Sequence, residues 1–436
     1  MRSDRHWPVA IIGGGFSGTM AAAQLARRGV ASVVIEAGDR AGLGAAYSTT
    51  DPAHLLNVPA GNMSAWADVP DDFVRRVGDP GIFAERRQFG AYLRSILDET
   101  VGSGCTTLVA DRAVGARHTE DGWTVALEKQ ETVIASALVL ATGNQPPGRL
   151  AALEGAGDRL ISNPWGREAR AAITNLAATG APVLVVGTGL TMVDVVLSLQ
   201  GAGHGGPILA LSRRGLIPRG HVACDPAPVE LAQVPAGSSA GLLSWLRSRG
   251  AEVGWRAAID SLRPHSQALW QSLGVTEQRR FLRHARPWWD VHRHRIAPQV
   301  AGMLVDLIAQ GRLQVAAGRV QSCRRTEAGV EVAIARRSRG GAMTDEFAYL
   351  FNCTGPLHAI GATGDSLLKR LIDDGHARPD QLGIGLAVDD RSRVDGAERL
   401  WAIGPLTNGA FWEIIAVPDI RDQAAAVADD ISRELA

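Results

Sequence analysis

WPVAIIGGGFSGTMAAAQLARRG, residues 7–29, runs from an apolar strand through a glycine turn into an Ala-rich helix. Gly13, Gly15 and Gly18 make G-x-G-x-x-G, with Phe16 and Ser17 inside it. The first glycine permits the tight turn, the second lets a pyrophosphate approach the backbone, and the third lets helix pack closely on strand. The helix start then presents free N–H groups to phosphate oxygens. A second strand, ASVVIE (31–36), ends in Glu36, placed to accept hydrogen bonds from a ribose diol. The motif alone is a weak signal. Strand, turn, helix, strand and terminal acid in succession specify a dinucleotide-binding unit.

The pattern returns, altered, in PVLVVGTGLTMVDVVLSLQ (182–200). Gly187 and Gly189 keep the first two roles, but Met192 stands where the third glycine belongs. Only close helix packing is lost, so the helix is expected to sit slightly further from its strand while phosphate approach survives. The next strand, PILALSRRG (207–215), ends in Ser212, Arg213 and Arg214 instead of an acid. A carboxylate there repels a 2′-phosphate, whereas a hydroxyl and two guanidiniums bind one, so the second unit is expected to prefer NADPH, with NADH possible. The alternative is that both arginines merely face solvent.

A second duplication accompanies the first. LVADRAVGARHTEDGWTVALEKQ (108–130), then LVLATGNQPP (138–147), matches LQVAAGRVQSCRRTEAGVEVAIARR (313–337), then YLFNCTGP (349–356). Each is an antiparallel excursion returning to an apolar strand that ends in Thr-Gly, the first at Thr142-Gly143, where backbone comes close to a bound dinucleotide. The expected fold class is α/β: two Rossmann-like domains with parallel sheets, small antiparallel excursions and a helical insertion. Residues 1–157 and 345–436 are assigned to the first nucleotide, 158–344 to the second, and about 216–300 to the insertion. One nucleotide is read as a resident cofactor and the other as a visiting reductant.

Composition narrows the class. Of 436 residues, 46% are hydrophobic and 21% charged, enough for large cores. Lys plus Arg equal Asp plus Glu, 45 each, which argues against a general nucleic-acid or anionic-membrane binder. The apolar run near the N-terminus breaks into glycines and reads as a first strand, not a signal peptide. Four scattered cysteines, Cys105, Cys224, Cys323 and Cys353, include no CxxC. That spacing points to a reducing cytoplasm, removes the dithiol of a disulfide reductase and offers no metal site.

These features resemble the two-dinucleotide-binding flavoproteins, which include glutathione reductase-like enzymes and class B flavin monooxygenases. GLGAAYSTTDPAHLLNVPAGNMSAW (42–66), RPWWDVHRHRIAP (286–298) and LWAIGPLTNGAFWEIIAVPDIRDQAAAVADDI (400–431) are similar to the family shared by a flavin-dependent urate hydroxylase and an amino-acid N-hydroxylase. The resemblance implies FAD held by Gly13, Gly15, Gly18 and Glu36, with His54, Asn57 and Met63 near the isoalloxazine. It brings Gly404 close to the flavin or ribityl chain and Trp412 to the cofactor. Pro405 replaces the usual aspartate after that glycine, which leaves the acidic contact in doubt. It further implies an NAD(P)H-consuming monooxygenase acting with O₂ through a flavin C4a-hydroperoxide on a small polar substrate, neutral or anionic. His54 and Asn57 are the candidates to hydrogen-bond the peroxide, although a histidine in such a loop also serves to fix the loop. Urate hydroxylation and amine N-hydroxylation are the named chemistries. An acceptor reductase and a non-catalytic flavin sensor are the alternatives.

The helical middle carries Trp245, Trp255, Leu262, Trp270 and Phe281 at helical spacing, a core pattern. The basic run after it supplies Arg293 and Arg295, read either as an anion site or as a solvated face. Trp288 and Trp289 are candidate walls for the substrate cavity. His292 and His294 have no flanking carboxylate or cysteine to complete a metal site.

Overall fold

The computed structural model describes residues 6–38, 40–130, 132–337, 342–357 and 359–436. One sheet contains β1 (His6–Ile12), β2 (Ser32–Glu36), β3 (Thr106–Ala110), β4 (Ala113–Thr119), β5 (Gly122–Leu127) and β6 (Val133–Leu140), ordered β3-β2-β1-β6-β5-β4. Strands β1, β2 and β3 and the β1–β6 pair are parallel. They are apolar on both faces, as strands covered on both sides must be. A second sheet contains β7 (Leu160–Ile161), β8 (Val183–Val186), β9 (Ile208–Ser212), β10 (Leu313–Arg325), β11 (Val330–Arg336), β12 (Ala342–Phe347) and β13 (Tyr349–Asn352), ordered β12-β11-β10-β9-β8-β13-β7. The chain then returns to the first sheet as β14 (Leu400–Ala402), parallel to the end of β6.

The duplicated excursions take related forms. In the first sheet the start of β6 pairs antiparallel with β5 and its end pairs parallel with β14. In the second, β10 pairs parallel with β9 at its start and antiparallel with β11 further on. One boundary moves. The sequence places the return at 345, but β12 pairs with β11, and β13 lies between β7 and β8. The second sheet therefore keeps the chain through Asn352.

Among the helices that position the rest are α1 (Phe16–Arg27), α2 (Arg86–Gly102), α3 (Leu190–Gly201), α4 (Ser239–Val253), α5 (Trp255–Leu262), α6 (Arg286–Arg293), α7 (Pro298–Ala309) and α8 (Val417–Leu435). Ala21, Ala22 and Leu25 of α1 share a buried cluster with Val9 and Ile11 of β1 and with Val427, Ala428 and Ile431 of α8. Small side chains let both helices lie close on the sheet. Met192 of α3, standing where the first unit has Gly18, is fully buried with Val183, Val185 and Phe351.

Helices α4, α5 and α6 form the insertion. Of the five residues read as core, Leu262 and Trp270 are buried, whereas Trp245, Trp255 and Phe281 are half-buried. The insertion clamps the loop between β14 and α8. Trp412 stacks on Trp270 at 4.6 Å, and the Trp270 indole donates to the Gly409 carbonyl at 2.8 Å. Next in the chain, Glu413 accepts from the Trp289 indole at 2.5 Å and pairs with Arg293 at 3.2 Å and His294 at 3.3 Å. Glu413 has φ 62°, a left-handed conformation costing roughly 1–3 kcal/mol that persists only where its surroundings enforce it. Burial alone would raise its pKa, but the His294 hydrogen bond, Arg293 and Trp289 outweigh burial and hold the carboxyl down to about 2.

The two sheets are joined by a polar seam. Arg86 grips Asp194 of α3 through two hydrogen bonds, 2.9 and 3.0 Å, with Asp194 buried and the Arg86 side chain 12% exposed. Ser198 donates to Asp51 at 2.9 Å. His54 bonds Thr49 through Nδ1 at 2.8 Å, while its Nε2 lies 3.0 Å from both the Asp194 carbonyl and Ser198 Oγ.

Removing one partner of a buried pair strands the other charge, at a cost of about 3–5 kcal/mol. Asp194→Ala is expected to lose that much in denaturant unfolding of the purified protein, and wild-type stability would contradict the buried seam. Glu413 has a folded pKa below its unfolded one. Its contribution is present above the ordinary carboxylate value of 4.5 and lost as pH falls through about 2. Comparing pH series of unfolding for wild type and Glu413→Gln should isolate an acid-side loss of about 3 kcal/mol absent from the variant; parallel curves would refute the assignment.

Candidate cofactor and active site

Both glycine turns are built by near-collisions that only glycine survives. Gly13 has φ 102°, and a Cβ there would lie 2.4 Å from the Ala141 carbonyl oxygen at the end of β6. Gly187 has φ 116°, and its Cβ would lie 2.0 Å from the Cys353 carbonyl oxygen after β13. A Cβ on Gly18 would strike the Gly13 carbonyl oxygen at 1.8 Å. Gly15 and Gly189 cap α1 and α3 without any side-chain cap, which leaves the first N–H groups for an anion. Nothing lies within 4 Å of a Cβ placed on Gly189 or Gly143.

The first cradle fits a dinucleotide with a free ribose diol. Glu36 stands at the end of β2, its Oε2 held by the Gly14 N–H at 2.6 Å. Thr142 Oγ1, at the end of β6 beside Gly13, is buried with no hydrogen-bond partner among the described residues, a group waiting for an acceptor or donor. Gly404, φ 70°, sits against Ser17, whose Oγ lies 2.7 Å from where its Cβ would be. Its N–H is fixed by Gln423 at 2.7 Å. Gly13, Gly15, Ser17, Gly18, Glu36, Thr142, Gly143 and Gly404 therefore gather at the carboxyl ends of the strands, where doubly wound sheets bind ligands. The side chains of Phe16, inside the glycine motif at the start of α1, and of Met63 lie in a buried cluster with Leu56, Phe73 and Phe89.

The second cradle carries a free cationic edge. Ser212 Oγ accepts from Thr188 Oγ1 at 2.8 Å and from the Gly215 N–H at 3.0 Å, which fixes the turn. Arg213 is exposed and Arg214 half-buried, and neither has a hydrogen bond or ion pair among the described residues.

Several sequence assignments change. His54 is buried with both ring nitrogens engaged, so it anchors its loop to α3. Asn57 is half-buried; its carbonyl accepts from His221 Nε2 at 2.9 Å, and its side-chain amide makes no hydrogen bond among the described residues. Trp412 is buried against Trp270 and Phe281, in an aromatic cluster of the insertion. Arg293 is neutralised by Glu413, and Arg295 by Asp260, so neither is available to an anion. Trp289 is spent on Glu413, and Trp288 is 50% exposed. Among the described residues no group of three or more His, Cys, Asp or Glu is placed to hold a metal.

His221 and the Arg86–Asp194 pair escaped the sequence reading, because their partners lie 164 and 108 residues away. A hollow of about 840 Å³, lined in part by His6, His118 and Ser136, lies at the amino ends of β1 and β6. It is at the wrong end of the sheet for the glycine turns. No helix among the described residues is long and apolar enough to cross a membrane.

Residues 10–145 match a family model described as FAD-NAD(P)-binding. No curated protein matches the sequence. The chain is similar in structure to the reduced form of ornithine hydroxylase from Pseudomonas aeruginosa, with TM-score 0.69 and 14% identity over 99% of this chain and 100% of that one. It is similar to an ornithine N-hydroxylase from Kutzneria sp. 744, solved with reduced FAD, NADP⁺ and L-ornithine, with TM-score 0.66 and 16% identity over 99% and 100%. A bacillithiol disulfide reductase from Staphylococcus aureus gives TM-score 0.60 and 15% identity over 99% of each chain. Residues 10–145 thus carry the match to an FAD-NAD(P)-binding family, and the chain as a whole shares the Rossmann-type fold of these solved structures.

Proposed function

We propose that the chain is an FAD-dependent monooxygenase that oxidises NADPH and places one atom of O₂ on a small polar substrate carrying an amine. The observation that carries the reading is the contrast between the two cradles. Glu36 suits the ribose diol of FAD, and the free Arg213–Arg214 edge suits the 2′-phosphate of NADPH. The overall reaction balances: substrate, O₂, NADPH and a proton give hydroxylated substrate, water and NADP⁺. Bound flavin would supply hydride acceptance and oxygen activation.

The chain's own residues supply the rest. The uncapped starts of α1 and α3 hold the pyrophosphates. The seam of Arg86, Asp194 and His54 fixes α3, and with it the second nucleotide, against the first unit. Asn57, with its side-chain amide unused, is the polar group we assign to the flavin side of the cleft. The insertion roofs the loop before α8 and helps exclude water.

Thiol chemistry has little support. The four cysteines are free, and burial pushes the Cys353 thiol well above its ordinary value, far from the thiolate a disulfide reductase needs. Amine hydroxylation gains support from the likeness to ornithine hydroxylases, while urate loses the cations expected to attract it. The likeness to a disulfide reductase favours electron transfer to another acceptor as the second reading.

With NADPH under air, the purified holoenzyme is expected to consume oxygen and leak peroxide until a substrate suppresses the leak. Oxidation that waits for an added acceptor would establish a reductase, and flavin that NADPH never reduces would establish a sensor. For the nucleotide, Arg213→Ala with Arg214→Ala should raise the KM for NADPH roughly 10- to 100-fold, the loss of charged hydrogen bonds, and leave NADH nearly unchanged. Equal effects on both nucleotides would contradict the phosphate assignment.

A further inference from the structure

We propose that Arg337, at the end of the antiparallel excursion, is a third guanidinium of the 2′-phosphate site, standing across Ala317 from the Ser212-Arg213-Arg214 turn. The inference rests on the reading of the second cradle as the NADPH site. It adds a specificity-determining residue from β10 and β11, strands that lie outside the strand–turn–helix unit.

Ala317 of β10 joins the two sides. Strand β10 starts parallel to β9, and Ala317 is the register partner of Ser212. On its other side β10 pairs antiparallel with β11, and the Ala317 carbonyl accepts the Arg337 N–H at 2.9 Å. Residues paired across a sheet turn their side chains to one face, so Ser212, Ala317 and Arg337 form a single row. Two strand spacings separate its ends, about 10 Å. The face is the one that meets the glycine turn, because Ser212 Oγ accepts from Thr188, between Gly187 and Gly189.

The arginine turn is pressed onto the same residue. Gly215 has φ 61°, and a Cβ there would lie 3.1 Å from the Ala317 nitrogen and 3.2 Å from the Ala316 carbonyl carbon. Ala317 is therefore approached from one side by the turn that carries Arg213 and Arg214, and from the other by Arg337. In the row, the only side chain between Ser212 and Arg337 is the Ala317 methyl. That makes a shallow floor with cations at both edges.

The charges at those edges are uncompensated. Arg213 and Arg337 are exposed and Arg214 is half-buried, and none has a side-chain hydrogen bond or ion pair among the described residues. Arg319, two residues past Ala317 on the same face, is exposed and likewise unpaired, so the positive edge continues along β10. At the far end of the excursion the arginines are matched: Arg324 pairs with Glu331 at 3.0 Å and Arg325 with Asp158 at 2.9 Å. Guanidiniums gathered without a counter-charge repel one another. A phosphate resting over Ala317 would relieve the repulsion and match the planar donor fork of each arginine. The free ribose diol of NADH offers only hydroxyls there, so Arg337 acts on NADPH alone.

Calorimetric titration of oxidised holoenzyme with NADP⁺ and NAD⁺, which differ only in the 2′-phosphate, reads the site without hydride transfer. Wild type should bind NADP⁺ about tenfold or more tighter than NAD⁺. Equal affinities would sink the NADPH reading and this inference with it. Where that preference exists, Arg337→Gln should weaken NADP⁺ about tenfold, the loss of one charged hydrogen-bonded contact, and leave NAD⁺ unchanged. Arg337→Glu should deepen the loss. Arg324→Gln removes the same charge roughly 20 Å along the excursion and should alter neither affinity. An undiminished preference in Arg337→Gln, an equal loss for both nucleotides, or an equal loss in Arg324→Gln would overturn the assignment of Arg337 and leave the NADPH reading standing.

Discussion

Two backbone carbonyls govern this molecule. The Ala141 oxygen occupies the place of a side chain on Gly13, and the Cys353 oxygen does the same at Gly187. Each contact draws the turn after a central strand against the end of its neighbour, β1 against β6 and β8 against β13. The helix that follows each turn then starts with uncapped N–H groups at the carboxyl edge of the sheet. Every later feature of the two clefts depends on that approach: the position of Glu36, the placement of the buried Thr142 Oγ1 and the reach of Arg213 and Arg214.

The duplication poses a second problem, because two cradles matter chemically only when they hold a fixed relation. The seam between Asp51, His54 and Arg86 on one side and Asp194 and Ser198 on the other supplies it. Asp194 is five residues beyond Gly189, so the carboxylate that locks the units together sits on the same helix whose start would receive the reductant's phosphates. The insertion adds a third attachment through Trp412 and Glu413. Glu413 keeps a left-handed backbone because three side chains from the insertion hold its carboxylate.

What the sequence reveals and what it hides divide along physical lines. Gly13, Gly18, Gly187 and Gly404 were legible because a positive φ or a backbone contact admits one residue type. Glu36 and the Ser212-Arg213-Arg214 edge were legible because strand ends place them. The pairing of the basic run was not: Arg293 meets Glu413 120 residues on, and nothing in a run of arginines says that a carboxylate will neutralise it. His54 looked reactive in a polar loop, but its partners come from α3. The return boundary was misplaced because β12 and β13 are separated by a single residue, Ala348, and read as one return.

The proposed reaction requires hydride to pass directly between nucleotides held in the two clefts. Anaerobic stopped-flow reduction with NADPH deuterated at either face of its nicotinamide C4 tests this most directly. One face should show a primary isotope effect on flavin bleaching and the other none, as expected for a ring held in one orientation against the flavin. Protein that carries no flavin, or bleaching insensitive to deuterium at both faces, would contradict the account.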